Sequence, residues 1–309
     1  MRFWIGVTDN DWFDFLSKQQ PDEVNFWKPG GKGIFKVLSS GELFLFKLHS
    51  PLNYIVGGGF FVKHFNIPLS MAWEAFGEKN GVPDLETLKS KIMRYHGGHE
   101  LNPVIGCSVL ATPFFFTKDQ WIPVPIDWSH NIVSGKAYDT AEQLGMQLWS
   151  IVQERLVVSS ADKLIEQPSI VAEEEAHYGS EYLAKARLGQ GTFRILVTEA
   201  YSRRCAITGE RTLPVLEASH IKPFAISGPN RTDNGLLLRS DLHKLFDLGY
   251  LTITRGLHVE ISKRIKEEYE NGRDYYALHG QQLKVLPDNI VDRPSEKYID
   301  WHNQNVFVP

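Results

Sequence analysis

The sequence has few cysteines and no long apolar run, and both shortages exclude classes of protein. Its 309 residues include two cysteines, Cys107 and Cys205, which cannot form a disulfide framework or a four-cysteine zinc site. The longest apolar-plus-glycine stretch, residues 54–62, is about half as long as a membrane span. Asp9 and Asp11 stand where the apolar core of a signal peptide would lie. We therefore expect a cytoplasmic protein with no membrane partner and no structural zinc.

Net charge is also small, at −4, so the chain as a whole lacks the strong positive charge typical of nucleic-acid-binding proteins. The charge is unevenly distributed, however. Residues 185–266 contain fourteen Lys and Arg against seven Asp and Glu, which gives this segment +7 and leaves −11 for the rest. A basic segment in an acidic protein is typical of a module that binds phosphates, and a chance excess on a solvated face is the alternative.

Residues 1–156 are predicted to form one domain rich in strands. Short segments of β-branched and aromatic residues, bounded by Gly, Pro, Asn or Ser, dominate its first 135 residues. Helical periodicity interrupts them near residues 9–18, near 70–77 and in 84–95, and it returns in 140–156. This order predicts a partly closed β-barrel with flanking helices.

The rest of the chain predicts a linker and then a smaller domain. Residues 157–184 contain a proline, an acidic triplet and little periodicity, and we interpret them as the linker. Residues 185–309 read as helix, strand, long polar loop, strand and short helix, followed by a hairpin that turns at Arg255 and Gly256. The fold class is therefore predicted to be α+β.

Three polar residues of this second domain have a spacing that indicates chemistry. His220 ends the first predicted strand, Asn234 opens the second strand after thirteen intervening residues, and His243 lies on the helix after eight more. A helix packed across such a strand pair brings the two histidines close to one point. One imidazole is then available for proton transfer and the other for a metal, because both are common roles of neutral histidine. A hydrogen-bonded core histidine and a surface histidine are the alternatives.

This segment resembles the HNH endonucleases, also called the ββα-metal nucleases. The resemblance rests on "EASHIKPF", "DNGLLLRSDLHKLFDLG" and the upstream "RCAITG". It implies that His220 is the general base that deprotonates water and that Asn234 bridges the two strands and orients the loop. It also implies that His243 is a ligand of one divalent metal, Mg²⁺, Mn²⁺ or a similar ion. Cys205 lacks the partner cysteines of the structural zinc that many members contain.

Ser219 departs from the family pattern, since many members have an aspartate ligand before the general base. A serine hydroxyl is a poor ligand for a hard cation. Asp247, one turn after His243, is expected to complete the metal shell or to orient His243 from behind it. Our predicted ligands are therefore His243, Asp247 and Ser219, with Glu217 a weaker candidate.

Basic residues surround the motif and are candidates for contacts with DNA phosphates, although each alone could be an ordinary surface charge. These candidates are Arg187, Arg194, Arg203, Arg204, Lys222, Arg231 and Arg239.

The first domain has aromatic and amide residues in Gly-rich loops, which suit the binding of a flat ligand. Its "VNFWKPGG", "GELFLFKL" and "GGGF" segments resemble the EVE branch of the PUA-like superfamily, whose members bind modified bases. The resemblance implies a pocket for a flipped-out base, and our candidates for its walls are Asn25, Trp27, Tyr54 and Phe60. The alternative for each is a core or turn residue.

Together the two domains resemble EVE–HNH fusions, which are modification-dependent, type IV-like restriction endonucleases. The resemblance implies hydrolysis of double-stranded DNA that carries 5-methyl- or 5-hydroxymethylcytosine. One HNH site cuts one strand, so a double-strand break implies two visits or a homodimer. A binding module with an inactive nuclease half, favoured by Ser219, is the main alternative, and an RNA-binding protein or an unmodified-sequence nuclease are further ones.

Overall fold

The structure is a computed structural model that describes residues 1–31, 33–96, 100–166 and 188–309. It divides into two compact units, Met1–Arg187 and Leu188–Pro309. We call them the N-terminal unit and, after the resemblance described above, the nuclease unit. Among the helices described, none has both the length and the apolar character that crossing a membrane requires. The predicted α+β fold class is confirmed, since both units combine helices with sheets that are mainly antiparallel.

The N-terminal unit is built on a seven-stranded sheet. The strands are β1 (Arg2–Thr8), β2 (Glu23–Lys28), β3 (Leu43–Leu48), β4 (Tyr54–Pro68), β5 (Val104–Phe115), β6 (Ile122–Pro123) and β7 (Gly135–Asp139). Their order is β2–β5–β4–β3–β1–β7, and β6 pairs with β4. The β1–β3 pair is parallel and the other pairs are antiparallel. The sheet does not close, because the end strands β2 and β7 do not pair with each other among the described strands.

In the described part of this unit there are four helices, and two of them cover opposite faces of the sheet. They are α1 (Asn10–Gln19), α2 (Leu69–Phe76), α3 (Leu85–His96) and α4 (Gln143–Glu166). On β3, Leu43 and Leu45 share one core with Leu148 and Val152 of α4. The alternate β3 residues, which include Phe44, share a second core with residues of α1. Burial on both faces explains why β3 is apolar almost throughout, since successive strand residues point to opposite sides.

Helix α4 differs from the predicted boundaries. It begins at Gln143 rather than at residue 140 and continues to Glu166. The first ten residues of the predicted linker, 157–166, are therefore helical, and residues 167–184 lie outside the described part of the chain. Apolar residues at helical spacing account for the helix as far as Leu156, which packs in the same core as Val152.

The nuclease unit contains two short antiparallel sheets and five helices. Its strands are β8 (Leu216–His220), β9 (Gly235–Arg239), β10 (Leu251–Ile253) and β11 (Val259–Ile261), paired β8–β9 and β10–β11. Its helices are α5 (Gln190–Ala200), α6 (Ser240–Asp247), α7 (Arg264–Tyr269), α8 (Arg273–Tyr276) and α9 (Glu296–Asn305). The predicted turn at Arg255 and Gly256 does connect the hairpin strands β10 and β11.

The core of the nuclease unit determines where β8 and α6 lie. Leu236, Leu237 and Leu238 of β9 are fully buried, together with Leu242 and Phe246 of α6. A side chain at Gly235 would approach Val197 of α5 to 2.4 Å, so only glycine allows this close packing of helix and strand. Because Gly235 pairs with His220, the close packing also fixes the end of β8. The N-cap of α6 is Arg239 rather than the predicted Ser240, which is the first helical residue.

Candidate functional site

The β8–β9 pair and helix α6 form the ββα arrangement that the sequence predicts. His220 is the last residue of β8 and pairs with Gly235 at the start of β9. His243 and Asp247 lie one turn apart on α6. The side chains of His220, His243 and Asp247 line one cavity of about 350 Å³. Three of the predicted site residues are therefore brought together.

The His220 ring is held in a defined plane, and its burial favours the neutral form. It stacks on the Phe193 ring of α5 with a centroid distance of 3.8 Å and an interplanar angle of 10°. Its Nε2 lies 2.7 Å from Oδ1 of Asn230. Burial lowers the pKa of His220, and the hydrogen bond with Asn230 and the charge of Asp247 offset only part of this shift. A neutral imidazole can accept a proton from water.

Asn234 fixes the loop that follows His220. Its side chain is fully buried. Its Oδ1 accepts a hydrogen bond from the Lys222 backbone N–H at 2.9 Å, and its Nδ2 donates to the carbonyls of Lys222 at 2.9 Å and Pro229 at 3.0 Å. The Asn234 carbonyl also accepts from the Ile221 N–H at 2.9 Å. The two ends of the loop are thus closed on one amide, which matches the bridging position expected for this residue.

His243 lies between two carboxylates, one on each ring nitrogen. Its Nδ1 is 2.6 Å from Oε2 of Glu217 on β8, and its Nε2 is 3.2 Å from Oδ2 of Asp247. Burial opposes protonation of this ring, but the hydrogen bonds and charges of Asp247 and Glu217 outweigh it, so the pKa of His243 is raised. The two site histidines therefore have pKa shifts in opposite directions.

The donor atoms of His243 and Asp247 fit one divalent cation. Adjacent donors of an octahedral shell with bonds near 2.1 Å stand about 3 Å apart, close to the 3.2 Å between Nε2 and Oδ2. Glu217 would then accept the Nδ1 proton and leave the Nε2 lone pair for the metal. Over the described ranges no group of three or more His, Cys, Asp or Glu is arranged to hold a metal ion, so the remaining ligands would be phosphate and water oxygens.

Ser219 does not join this donor set. Its side chain is fully buried, and its hydroxyl has no hydrogen-bond partner among the described residues. It is absent from the linings of both cavities that His243 borders. Glu217, which lies on the same strand, provides the carboxylate contact to His243 instead.

Most of the predicted phosphate-contact residues already have partners. Arg203 pairs with Glu199, Arg231 with Asp233 and Arg239 with Asp241. All three are partly exposed pairs, whose net contribution to stability is small. The Lys222 ammonium lies 5.7 Å from the centroid of the Trp301 ring. Arg194 and Arg204 are partly buried, and Arg187 lies outside the described residues.

The N-terminal unit contains a larger cavity, of about 560 Å³. Aromatic residues on its wall are Trp12, Phe26, Trp27 and Tyr95, and charged or titratable ones are Asp9, Asp11, Lys28, His49, Lys91 and Arg94. Lys91 lies 2.6 Å from Asp9 and 3.4 Å from Asp11, and burial lowers the pKa of Lys28. Aromatic faces with a few polar groups are typical of small-ligand pockets.

Only one of the four predicted pocket residues lines this cavity. Trp27 does, and its Nε1 donates to the Asn80 carbonyl at 2.8 Å. Asn25 is fully buried and its Nδ2 donates to Oδ1 of Asn80, while Phe60 lies in the core on the α4 face. Tyr54 is partly exposed and packs near Trp121. The structure does not bring these four residues together.

Several contact residues were not predicted from the sequence. Asn230 contacts His220 but lies in the loop between the motif residues, where the motif specifies no residue type. Phe193 also contacts His220, but in the sequence it is one apolar position of a helix among several. Lys244 follows His243 directly and lines a cavity of about 500 Å³ with Glu217 and Asp247. A basic residue beside a motif histidine is a signal that could have identified Lys244, whereas no local signal marks Phe193.

Comparison with known families identifies the nuclease motif. Residues 205–254 match the family model described as HNH endonuclease. This segment contains His220, Asn234, His243 and Asp247, so the predicted HNH domain is confirmed over this range. No curated protein matches the chain.

Solved structures provide more distant likenesses. The ASCH protein from Zymomonas mobilis is 9% identical over 47% of this chain and 92% of its own, with a TM-score of 0.34. A mutant of that protein is 8% identical over 48% of this chain and 96% of its own, with a TM-score of 0.34. A structure described as the modification-dependent TagI restriction endonuclease is 14% identical over 92% of this chain and 75% of its own, with a TM-score of 0.28. Similarity at this level carries no argument about function.

Proposed function

We propose that the protein is a metal-dependent endonuclease that cleaves double-stranded DNA carrying modified cytosine. The observation that carries the proposal is the shared cavity of His220, His243 and Asp247 within a segment that matches the HNH endonuclease model. It combines an imidazole that can accept a proton from water with an imidazole and a carboxylate that could hold a cation, and both functions assist phosphodiester hydrolysis.

The proposed chemistry divides between the two histidines. His220 accepts the proton of the attacking water, and Asn234 holds the loop that follows it. Nε2 of His243 and Oδ2 of Asp247 would hold one divalent cation, such as Mg²⁺ or Mn²⁺, while Glu217 orients the ring. When bound, the cation supplies positive charge to the phosphate and to the leaving 3′-oxygen.

The N-terminal cavity is the proposed site for a flipped modified cytosine. Its volume of about 560 Å³ lies within the range of ligand pockets, and Trp27 and Tyr95 offer ring faces for stacking. Asp9 and Asp11 could accept a hydrogen bond from the cytosine amino group, as carboxylates do in DNA recognition. This assignment makes the N-terminal unit the modified-base reader and the protein a type IV-like restriction enzyme.

Digestion of plasmids tests the proposal. Unmodified, 5-methylcytosine and 5-hydroxymethylcytosine plasmids are incubated with the full chain and Mg²⁺, Mn²⁺ or Co²⁺, beside the His220→Ala variant. We expect cleavage of at least one modified plasmid and none by the variant. Equal cleavage of all plasmids would contradict recognition of the modification, and equal cleavage by the variant would contradict the role of His220. Linear product at early times would support a homodimer that cuts both strands.

A second candidate is a modified-DNA-binding protein with an inactive nuclease half. It is favoured by the engagement of both His243 nitrogens by carboxylates and by Ser219 in place of the usual aspartate. In that case no metal would support cleavage, yet modified DNA would still bind more tightly than unmodified DNA. A gel-shift measurement on the same plasmid fragments separates the two candidates.

A further inference from the structure

The partner of the proposed general base is itself held by a backbone group. Oδ1 of Asn230 lies 2.7 Å from Nε2 of His220, and Nδ2 of the same amide donates a short hydrogen bond to the Leu188 carbonyl. Asn230 is 95% buried, so its amide has little access to water. Leu188, Asn230 and His220 thus form a continuous hydrogen-bonded chain inside the nuclease unit.

The contact with Leu188 determines which way the Asn230 amide points. A backbone carbonyl only accepts hydrogen bonds, so the NH₂ group must face Leu188 and the oxygen must face His220. The reverse orientation would oppose two carbonyl oxygens and would also leave Nε2 facing a donor. The amide assignment therefore follows from the hydrogen-bond network.

This orientation selects one tautomer of His220. The amide oxygen can only accept, so Nε2 of the neutral ring must carry the proton. Nδ1 then has the free lone pair, and within the described residues it has no hydrogen-bond partner. The stacked Phe193 ring restricts rotation of the imidazole out of its plane. His220 lines the cavity shared with His243 and Asp247, so an accepting Nδ1 is available for water there.

We infer that Asn230 is a positioning residue that presents Nδ1 of His220 as the proton acceptor. The inference rests on the proposed role of His220 as general base. Asn230 lies in the loop four positions before Asn234. The amide of Asn234 itself bonds only to backbone groups. The two asparagines therefore have separate tasks: Asn234 closes the loop, and Asn230 sets the tautomer and ring orientation of the base.

Two measurements on the full chain test this inference. The first is the imidazole ¹⁵N spectrum of the metal-free protein at a pH where His220 is neutral, with His220→Gln used to assign its signals. We expect one protonated nitrogen, Nε2, and one unprotonated nitrogen, Nδ1. Asn230→Leu should bring the two nitrogen shifts towards a common average, because it removes the acceptor at similar side-chain size.

The second measurement is single-turnover cleavage at saturating metal and DNA. Asn230→Leu should lower the rate constant roughly 10- to 100-fold, because a general base out of position loses much of its effect, while half-saturating DNA changes less than about 2-fold. Asn289→Leu changes an exposed asparagine of the same unit and should have no effect.

The outcomes separate this inference from the proposed function. If no form of the protein cleaves DNA, the proposed nuclease activity fails, but the ¹⁵N spectra still report whether Asn230 sets the tautomer. A wild-type spectrum with the proton on Nδ1 would overturn the inference. So would an Asn230→Leu variant that keeps the wild-type spectrum and rate.

Discussion

The cavities of the two units are assembled in different ways. The nuclease cavity takes most of its lining from one stretch, residues 218–247, with His302 and Val306 added from the C-terminal segment. The N-terminal cavity takes its lining from separate segments between Val7 and Ser134. The first arrangement keeps the reacting groups on one small ββα scaffold, and the second depends on the fold of a whole unit. Substitutions in one cavity should therefore change the chemical step, and those in the other should change selection of the DNA.

The largest expected effect is on the chemical step. His220→Ala removes the proposed proton acceptor and should lower single-turnover cleavage by about 10²- to 10⁴-fold, the usual contribution of a general base. Affinity for modified DNA, measured by fluorescence anisotropy, should change less than about 2-fold because the N-terminal cavity is intact. His130→Ala, at an exposed position of the N-terminal unit, is the matched control. A variant that loses affinity and cleavage together would show that the two functions are not separable in this way.

Acidification should destabilise the nuclease unit through His302. This ring is buried, stacks on Phe246 and donates from Nε2 to the Phe246 carbonyl at 3.1 Å. Burial lowers its pKa to about 4, although the bond to Phe246 and the charge of Asp247 favour protonation. Folding therefore favours the neutral ring, and this stability is present above the unfolded pKa near 6.5 and is lost as the pH falls towards 4.

Between pH 7.5 and 4.5 the loss from this one group should be about 2–3 kcal/mol of unfolding free energy. Urea unfolding of the full chain at both pH values measures it. His302→Gln should be less stable than the wild type at pH 7.5, and the difference should shrink at pH 4.5 because glutamine does not titrate. A His302→Gln variant with the wild-type pH dependence would assign the acid sensitivity to other groups.

Substitution of Glu217, which contacts the proposed metal-binding imidazole of His243, should have a smaller effect on cleavage. Glu217→Gln keeps an acceptor for Nδ1–H but removes its charge, and loss of such a contact typically weakens metal binding about 10-fold or more. The metal concentration for half-maximal cleavage should rise by roughly that factor, with little change at saturating metal. Glu267→Gln, on the exposed face of α7, is the control.

Calorimetry of metal binding tests the proposed ligand set directly. With only His243 and Asp247 as direct protein donors, metal binding without DNA should be weak and should strengthen when DNA adds phosphate oxygens. Tight binding in the absence of DNA would contradict this ligand set and would require a further protein donor.

The difference between the cavities also explains what could be predicted from the sequence. His220, Asn234, His243 and Asp247 lie within 28 residues, so two strands, one loop and one helix suffice to bring them together. Asn230 is local too, but its role depends on the carbonyl of Leu188, 42 positions away in sequence. Spacing alone cannot reveal a backbone partner at that distance.

The N-terminal pocket residues were harder to predict because their position along a strand, and what covers that strand, decide whether they reach the cavity. Trp27 and Asn25 lie on the same strand, but Trp27 is near its end and reaches the cavity, whereas Asn25 pairs opposite Val109 inside the sheet. Phe60 lies in a long strand that is buried on both faces, so an aromatic there packs in a core. The strand register and the helices that cover each face of the sheet distinguish a residue of the cavity wall from a residue of the core.

The smallest expected effect compares two exposed tyrosines of the N-terminal unit. Tyr95 lines the 560 Å³ cavity and is 74% exposed. Tyr54 is 38% exposed and does not line that cavity. Tyr95→Ala should weaken binding of modified DNA about 5- to 10-fold, since stacking of one base on an aromatic ring contributes about 1–3 kcal/mol. Tyr54→Ala should bind normally, although the sequence marked Tyr54 rather than Tyr95. Because both positions are accessible, neither substitution should unfold the unit, which circular dichroism would verify. Weakening by Tyr54→Ala alone would move the base-binding site to the β4–β6 edge and remove the 560 Å³ cavity from the recognition step.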